Sequence, residues 1–169
     1  MKNARSSKKA EAGPVDFSAN RLPPPFGRSF PIGLDVEVCT FAALEHAWRE
    51  GTEQFHREHV MPFLYEGAQF DPATPPAGAG DYPVFGRSAR GFVLAQLHHK
   101  PAFGALRWTV DTPADLEFAR QVLTRLADQP QFTWYDVLAV LEKEPELARI
   151  NSEVQHKTMT EVDERGANP

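Results

Sequence analysis

Two proline- and glycine-rich stretches constrain this chain more than any other feature. "RLPPPFGRSFPIG", residues 21–33, gathers four of the fifteen prolines with two glycines. Proline lacks the amide proton that a helix interior needs, so this stretch must run extended or turn. "GAQFDPATPPAGAG", residues 67–80, is too rich in Pro, Gly and Ala for regular structure and reads as a long surface loop. Ordered elements must therefore lie before, between and after these two breaks.

Before the first break, "VDFSAN" has the pattern of a short strand, with Phe17 as a core residue. Between the breaks, "LDVEVC" alternates Leu34, Val36 and Val38 with Asp35, Glu37 and Cys39, the period of a strand. Thr40 follows as an N-cap, and Phe41, Leu44, Ala47 and Trp48 recur at helical spacing toward a core until Gly51 supplies a stop. "TEQFHREHVMPFLY" is a second helical stretch, starting near Thr52 or His56, which Pro62 bends or restarts.

After the second break, "GFVLAQLHH" and "ALRWTV" are expected as strands, with "KPAFG" between them as a hairpin turn. Leu116, Ala119, Val122, Leu123 and Leu126 then form an apolar stripe of helical period, expected to pack on the sheet. "FTWYDVLAVLEKEP" begins a further helix with Thr133 as N-cap, Asp136 at its third position and Phe132 placed to staple against Val137. Pro145 opens a last short turn through Ile150. No internal repeat is evident. Strands alternating with capped helices predict an α/β fold, a small mixed sheet flanked by helices.

Length and charge limit what such a fold does. At 169 residues, 41% hydrophobic and 24% charged, the chain suffices for one globular domain with a core. Its net charge of −5 argues against a general nucleic-acid surface, which needs clustered Lys and Arg. Cys39 is the single cysteine, which excludes an intrachain disulfide and fits a reducing, cytoplasmic setting. No apolar run approaches the roughly 20 residues that span a bilayer. The opening "MKNARSSKKAEAGP" is basic without the apolar stretch of a secretory signal. Residues 1–14 and 158–169 are expected to be disordered tails. Lys2, Arg5, Lys8 and Lys9 lack the interleaved aromatics of a nucleic-acid platform, so the first tail reads as solvated.

The joint "RWTVDTPADL", residues 107–116, carries the chemistry. Pro113 suits the first helical position, which makes Thr112 the N-cap. Asp115, three residues on, supplies the acidic half of a capping box. Asp111 is then not needed to start the helix. At the carboxyl end of a strand its carboxylate suits Mg²⁺, which takes one or two protein carboxylates and completes its shell with phosphate and water. The plain alternative is an aspartate that stabilises the helix dipole.

"FPIGLDVEVCTFAALEHAW", "REHVMPFLY", "LRWTVDTPADLEFARQVL" and "FTWYDVLAVLEKEPELARIN" occur in that order and spacing. Together they resemble the C-terminal half of the spore-coat polysaccharide synthesis type of cytidylyltransferase. That group is related to the synthetases that make CMP-activated sialic acid and Kdo. The resemblance runs from about Val15 to about Lys157. It implies a Rossmann-like nucleotide-diphospho-sugar transferase fold and transfer of CMP from CTP to a sugar, with Mg²⁺ as cofactor and Asp111 as a magnesium ligand. It also implies a basic glycine loop for the CTP phosphates and a further metal-binding aspartate, both preceding the matched portion. "GAGD" at 78–81 does not serve as that loop, because no helix is expected after it. The chain is therefore expected to act as part of a catalytic domain, inactive alone, with the N-terminal half supplied separately. A non-catalytic oligomerisation or binding module, such as a homodimer, is the second reading. Sheet edge and apolar surface are expected to be exposed.

The same resemblance puts Arg57, Glu58 and His59 toward the sugar-acceptor side, where an arginine pairs with a sugar carboxylate; the alternative is a solvated helix face with ordinary ion pairs. Asp35 and Glu37 either orient acceptor hydroxyls or line a solvent-facing strand. Arg107 either approaches phosphate or braces Asp111, while Trp108, the next residue on the strand, is read as packing. His56, His59, His98, His99 and Cys39 include neither HExxH nor a CxxC pair, which speaks against zinc.

Overall fold

The computed structural model describes residues 14–154. The expected tails, apart from Pro14, lie outside the described residues, as do residues 155–157. The chain forms two compact units that interleave in sequence. One takes the residues up to Asn20 and Val36–Lys100, the other Arg21–Asp35 and the residues from Pro101 on.

The first unit holds a five-stranded mixed sheet with α-helices, the α/β architecture expected from the sequence. Its strands are β1 (Phe17–Ala19), β2 (Glu37–Cys39), β3 (Gln69–Phe70), β4 (Gly80–Arg87) and β5 (Val93–Lys100), in spatial order β2-β1-β5-β4-β3. β1 pairs parallel with β5, and the other pairings are antiparallel. Phe17 and Leu94, partners across β1 and β5, are both buried and form the centre of this core. The helices are α1 (Phe41–Glu50), α2 (Gln54–His59) and α3 (Pro62–Tyr65). Pro62 restarts the helix rather than bending it. α3 buries all four of its residues, and Tyr65 packs on Phe17 with ring centroids 5.8 Å apart.

Two sequence expectations fail in this unit for identifiable reasons. β4 lies in a segment whose Pro83 and glycines disguise a strand. Phe85, two residues from Pro83 and so facing the same side, gives its carbonyl to Asp71 N, but β3 ends before reaching Pro83. The missing amide proton of Pro83 thus points where no strand waits for it. The true hairpin is β4–β5, not "GFVLAQLHH" with "ALRWTV". The loop expected over 67–80 also yields the two residues of β3 at its start.

The core face of α1 is the second. Ala43 and Ala47 are buried, while Phe41 and Trp48 are 78% and 69% exposed. Small side chains let the helix approach its neighbours closely, and the large apolar residues are left to line a groove with α2. Val36 and Val38 are also exposed, Val38 on edge strand β2. Exposed sheet edge and apolar surface are both present, as expected. Thr40 caps α1, its Oγ1 accepting from Ala43 N at 3.2 Å. Thr40→Ala should cost about 1 kcal/mol, measured as a lowered urea midpoint at unchanged slope.

The second unit is helical, with α4 (Pro113–Arg125), α5 (Trp134–Lys143) and a 3₁₀ turn at Leu147–Arg149. Phe118, Val122 and Leu126 of the α4 region meet Val137, Leu141 and Leu147 in one apolar cluster, against which Trp108 packs. The expected stripe is therefore rotated. Leu116 and Leu123 are exposed, Phe118 takes their place inside, and the partners are α5 and the turn rather than a sheet. "ALRWTV" forms no strand but a single parallel bridge between Ile32 and Arg107, with Trp108 N donating to Ile32 O at 2.7 Å. Gly33, at φ 105°, lies against this segment. A Cβ there would sit 2.6 Å from Thr109 N, so only glycine fits.

Candidate functional site

The start of α4 is built around a carboxylate that solvent does not reach. Asp115 has 0% exposure, and a buried charge persists only where it is paired and hydrogen-bonded. Its Oδ1 accepts from Arg107 Nε at 2.9 Å and from Asn151 Nδ2 at 2.8 Å. Its Oδ2 accepts from Arg107 Nη2 at 3.1 Å, Thr112 N at 3.0 Å, Thr112 Oγ1 at 2.9 Å and Asp111 N at 3.1 Å. Thr112 Oγ1 in turn accepts from Asp115 N, which closes the capping box. The Asn151 amide also donates to Arg107 O at 2.9 Å, tying the chain after the 3₁₀ turn to the segment before α4.

These contacts set the electrostatics. The Arg107 guanidinium, followed by Asn151, the Asp111 amide and Thr112, holds the Asp115 carboxyl well below the usual carboxylate range, against the opposing effect of burial. Hydrogen bonding to Asp115 raises Arg107 in turn. A depressed carboxylate contributes stability that is complete above the unfolded value of about 4 and is lost as pH falls through the lower folded value. The urea midpoint of the second unit should therefore fall on acidification from pH 4 toward pH 2, at up to about 1.4 kcal/mol per pH unit from this group. A midpoint unchanged by acid would contradict the assignment.

Asp111 sits differently. It is exposed, and Arg107 Nη2 reaches its Oδ2 at 2.7 Å while Thr109 Oγ1 donates to the same oxygen at 3.3 Å. Both hydrogen bonds to the carboxylate fall on Oδ2. One guanidinium serves two carboxylates, so the group of Arg107, Asp111 and Asp115 carries one formal negative charge. Asp115 is sequestered, so that charge is presented on the exposed Asp111. Oδ1 of Asp111 is the oxygen available to a hard cation, a chemistry that needs only one or two protein carboxylates beside phosphate. Among the described residues no group of three or more His, Cys, Asp and Glu forms a cage for a metal ion.

The remaining candidates divide between the two units. Arg107, Asp111 and Asp35 belong to the second. Asp35 is paired with Arg28, whose Nη1 and Nη2 reach its oxygens at 2.7 and 3.2 Å. Glu37 is exposed on edge strand β2 of the first unit. Arg57, Glu58 and His59 stand together on α2. Arg57 Nη1 donates to Trp48 O at 2.8 Å, and His59 Nε2 lies 3.9 Å from Glu58 Oε1. Arg107 is an internal brace, contacting Asp111 and Asp115, with its side chain only 6% exposed.

One participant, Asn151, has no place in the sequence reading. Asp115, expected as the acidic half of the cap, is also the centre of a buried charge network. An asparagine directly after a short amphipathic turn, "ARIN", is the local signal for Asn151, but its partner lies 36 residues away.

Comparison with known proteins finds a distant relative. The chain is 29% identical over 133 residues to the uncharacterized protein MJ1063 of Methanocaldococcus jannaschii. The match covers 79% of this chain and 46% of the relative, so the chain spans about half that protein's length. No protein-family model matches the sequence. No solved structure matches it either. Among the described residues, no helix is long and apolar enough to cross a membrane.

Proposed function

We propose that this chain carries the metal and sugar-acceptor contacts of a Rossmann-like cytidylyltransferase that transfers CMP from CTP to a sugar acid. The observation that carries this reading is the exposed Asp111 carboxylate, held by Arg107 beside a capping box that does not need it. The sequence resemblance supplies the reaction class. The cationic cofactor would be Mg²⁺, which offsets the charge developing on the transferred phosphoryl group.

Within that reaction Arg107 and Thr109 fix the Asp111 carboxylate, so that one oxygen is oriented and no torsional search is needed when the nucleotide arrives. Asp115 keeps Arg107 in place and charged. In the first unit, Arg57, Glu58 and His59 on α2 and Glu37 on β2 are the groups proposed to meet the sugar acid; Asp35 is a separate candidate in the second unit. A carboxylate of the acceptor suits the Arg57 fork. The CTP phosphates are proposed to be held by a separately supplied segment, in the cytoplasm, where CTP is available.

A pyrophosphate-release assay with CTP, Mg²⁺ and a panel of sugar acids tests the reading, using the chain alone and the chain complemented with an N-terminal half of a related synthetase. Activity is expected only in the complemented sample. Turnover by the chain alone would overturn the division of labour, and no turnover with any acceptor in either sample would count against the reaction class. The second reading, a non-catalytic oligomerisation module, is favoured by the exposed Val36, Val38, Phe41 and Trp48. Light scattering and CTP binding measured with the N-terminal half present separate it: a well-folded dimer that gains no CTP affinity on complementation supports the module.

A further inference from the structure

His56 is a buried ionisable group that the proposed chemistry does not use. Its side chain is 4% exposed, and neither ring nitrogen has a hydrogen-bond partner among the described residues. A neutral imidazole always offers one N–H donor and one acceptor, so two polar atoms stand desolvated and unmatched. The ring packs on Phe55, 4.1 Å away between centroids, and on Phe63, edge-on at 5.3 Å. Its Nε2 lies 3.7 Å from Glu66 Oε2, too far for a hydrogen bond but within reach of a small ring movement. That same oxygen is held by Arg90 Nη1 at 2.5 Å, and the Arg90 guanidinium rests 4.2 Å over the Phe63 ring.

His56 also forms part of the groove between α1 and α2, about 450 Å³, lined by Phe41, Leu44, Trp48, Arg57 and Val60 among others. Arg57, the next residue, anchors α2 to α1 through Trp48 O. Any shift of the His56 ring therefore bears on that groove wall.

We propose that His56 is a proton-operated latch beneath the α1–α2 groove, engaging Glu66 when the imidazole is protonated and leaving it when neutral. The charged groups around it are few. Glu66 at the end of α3 is the acid it meets, Arg90 in the β4–β5 turn competes for that acid, and His46 of α1 packs on the same Phe63 ring, with centroids 5.8 Å apart. Glu45 of α1 and Arg57 of α2 both line the groove, and Glu58 and His59 pair with each other further along α2. An imidazolium cannot remain in this place without an acceptor, because burial of an unpaired charge is prohibitive. Glu66 is the nearby acceptor, so protonation pulls the ring from its seat against Phe55 and Phe63. The groove side of α2, which carries Arg57, then shifts relative to Trp48. Histidine is the side chain suited to such a change between about pH 5 and 8.

The test follows the His56 ring protons by NMR and the Trp48 signal in protein labelled with 5-fluorotryptophan, from pH 8 to pH 5. Trp48→Phe assigns the Trp48 resonance. A Trp48 shift that tracks His56 titration is expected, absent in His56→Gln. In Glu66→Gln the imidazolium has no acid to meet, so the coupled Trp48 change should vanish. A Trp48 signal flat across this range in the wild type, or one that titrates unchanged in His56→Gln, would overturn the latch. A merely structural His56 would alter stability on substitution without producing any pH-linked Trp48 signal. If His56→Gln does not fold, the Glu66→Gln arm, which touches a half-exposed surface residue, decides alone.

Discussion

Asp115→Asn should remove about 3–5 kcal/mol of stability, since breaking a buried ion pair leaves the partner charge uncompensated. The expectation follows from where the charge would be stranded. Arg107 is buried and donates through Nε and Nη2 to Asp115, whereas its contact with Asp111 is to an exposed carboxylate that solvent screens. The amides of Asp111 and Thr112, which donate to the same Asp115 oxygen, would lose their acceptor at the helix start. Urea unfolding followed by tryptophan emission reads this directly, because Trp108 and Trp134 both lie in the second unit. Asp111→Asn is the control and should cost less than about 1 kcal/mol. A stability for Asp115→Asn within 1 kcal/mol of wild type would show that the network is not what holds this unit.

Asp111→Asn should have the opposite profile, sparing the fold and removing function. Asparagine keeps the shape and an oxygen for Arg107 but loses the charge that attracts a hard cation. With the complemented enzyme, Mg²⁺-dependent pyrophosphate release should fall at least about 100-fold, the scale on which losing one preorganised electrostatic contact is felt. Raising Mg²⁺ should recover part of the rate if affinity is what was lost. A variant with wild-type activity at low Mg²⁺ would exclude Asp111 as the ligand, whatever the reaction.

The contrast between these two aspartates shows how far the sequence could be read. Thr112, Pro113 and Asp115 were legible as a helix start because capping is a local geometry repeated in every helix. The conclusion that Asp111 was surplus to the cap followed from the same spacing. That Asp115 would be the most buried polar group at the site was not legible, because its partners Arg107 and Asn151 come from before and after the helix and meet only in the folded unit. The bracing of Asp111 by Arg107 was one of two readings for that arginine, and only the fold placed the guanidinium between two carboxylates.

The same distinction applies to the elements. β1 was readable from a short pattern, and Pro62 as either a bend or a restart. β4 was hidden by Pro83, which a strand tolerates only where its neighbour has ended. The inner faces of α1 and α4 are rotated from the expected ones, keeping Ala47, Val122 and Leu126 inside, because hydrophobic size does not by itself decide burial. α1 instead seats Ala43 and Ala47 and turns Phe41 and Trp48 outward, and α4 buries Phe118 and Asp115 while Leu116 and Leu123 face solvent. Close approach favours small residues, and a buried charge network can outrank an apolar stripe in setting which face is inside.

The most direct test of the metal assignment is paramagnetic broadening by Mn²⁺, a stand-in for Mg²⁺, in the NMR spectrum of the isotopically labelled chain complemented with the unlabelled N-terminal half and CTP. Selective loss of the amide signals of Asp111, Thr112 and their neighbours, abolished in Asp111→Asn, is the expected result. Broadening spread evenly over the acidic surface, or centred on Asp111 and undiminished in Asp111→Asn, would contradict it.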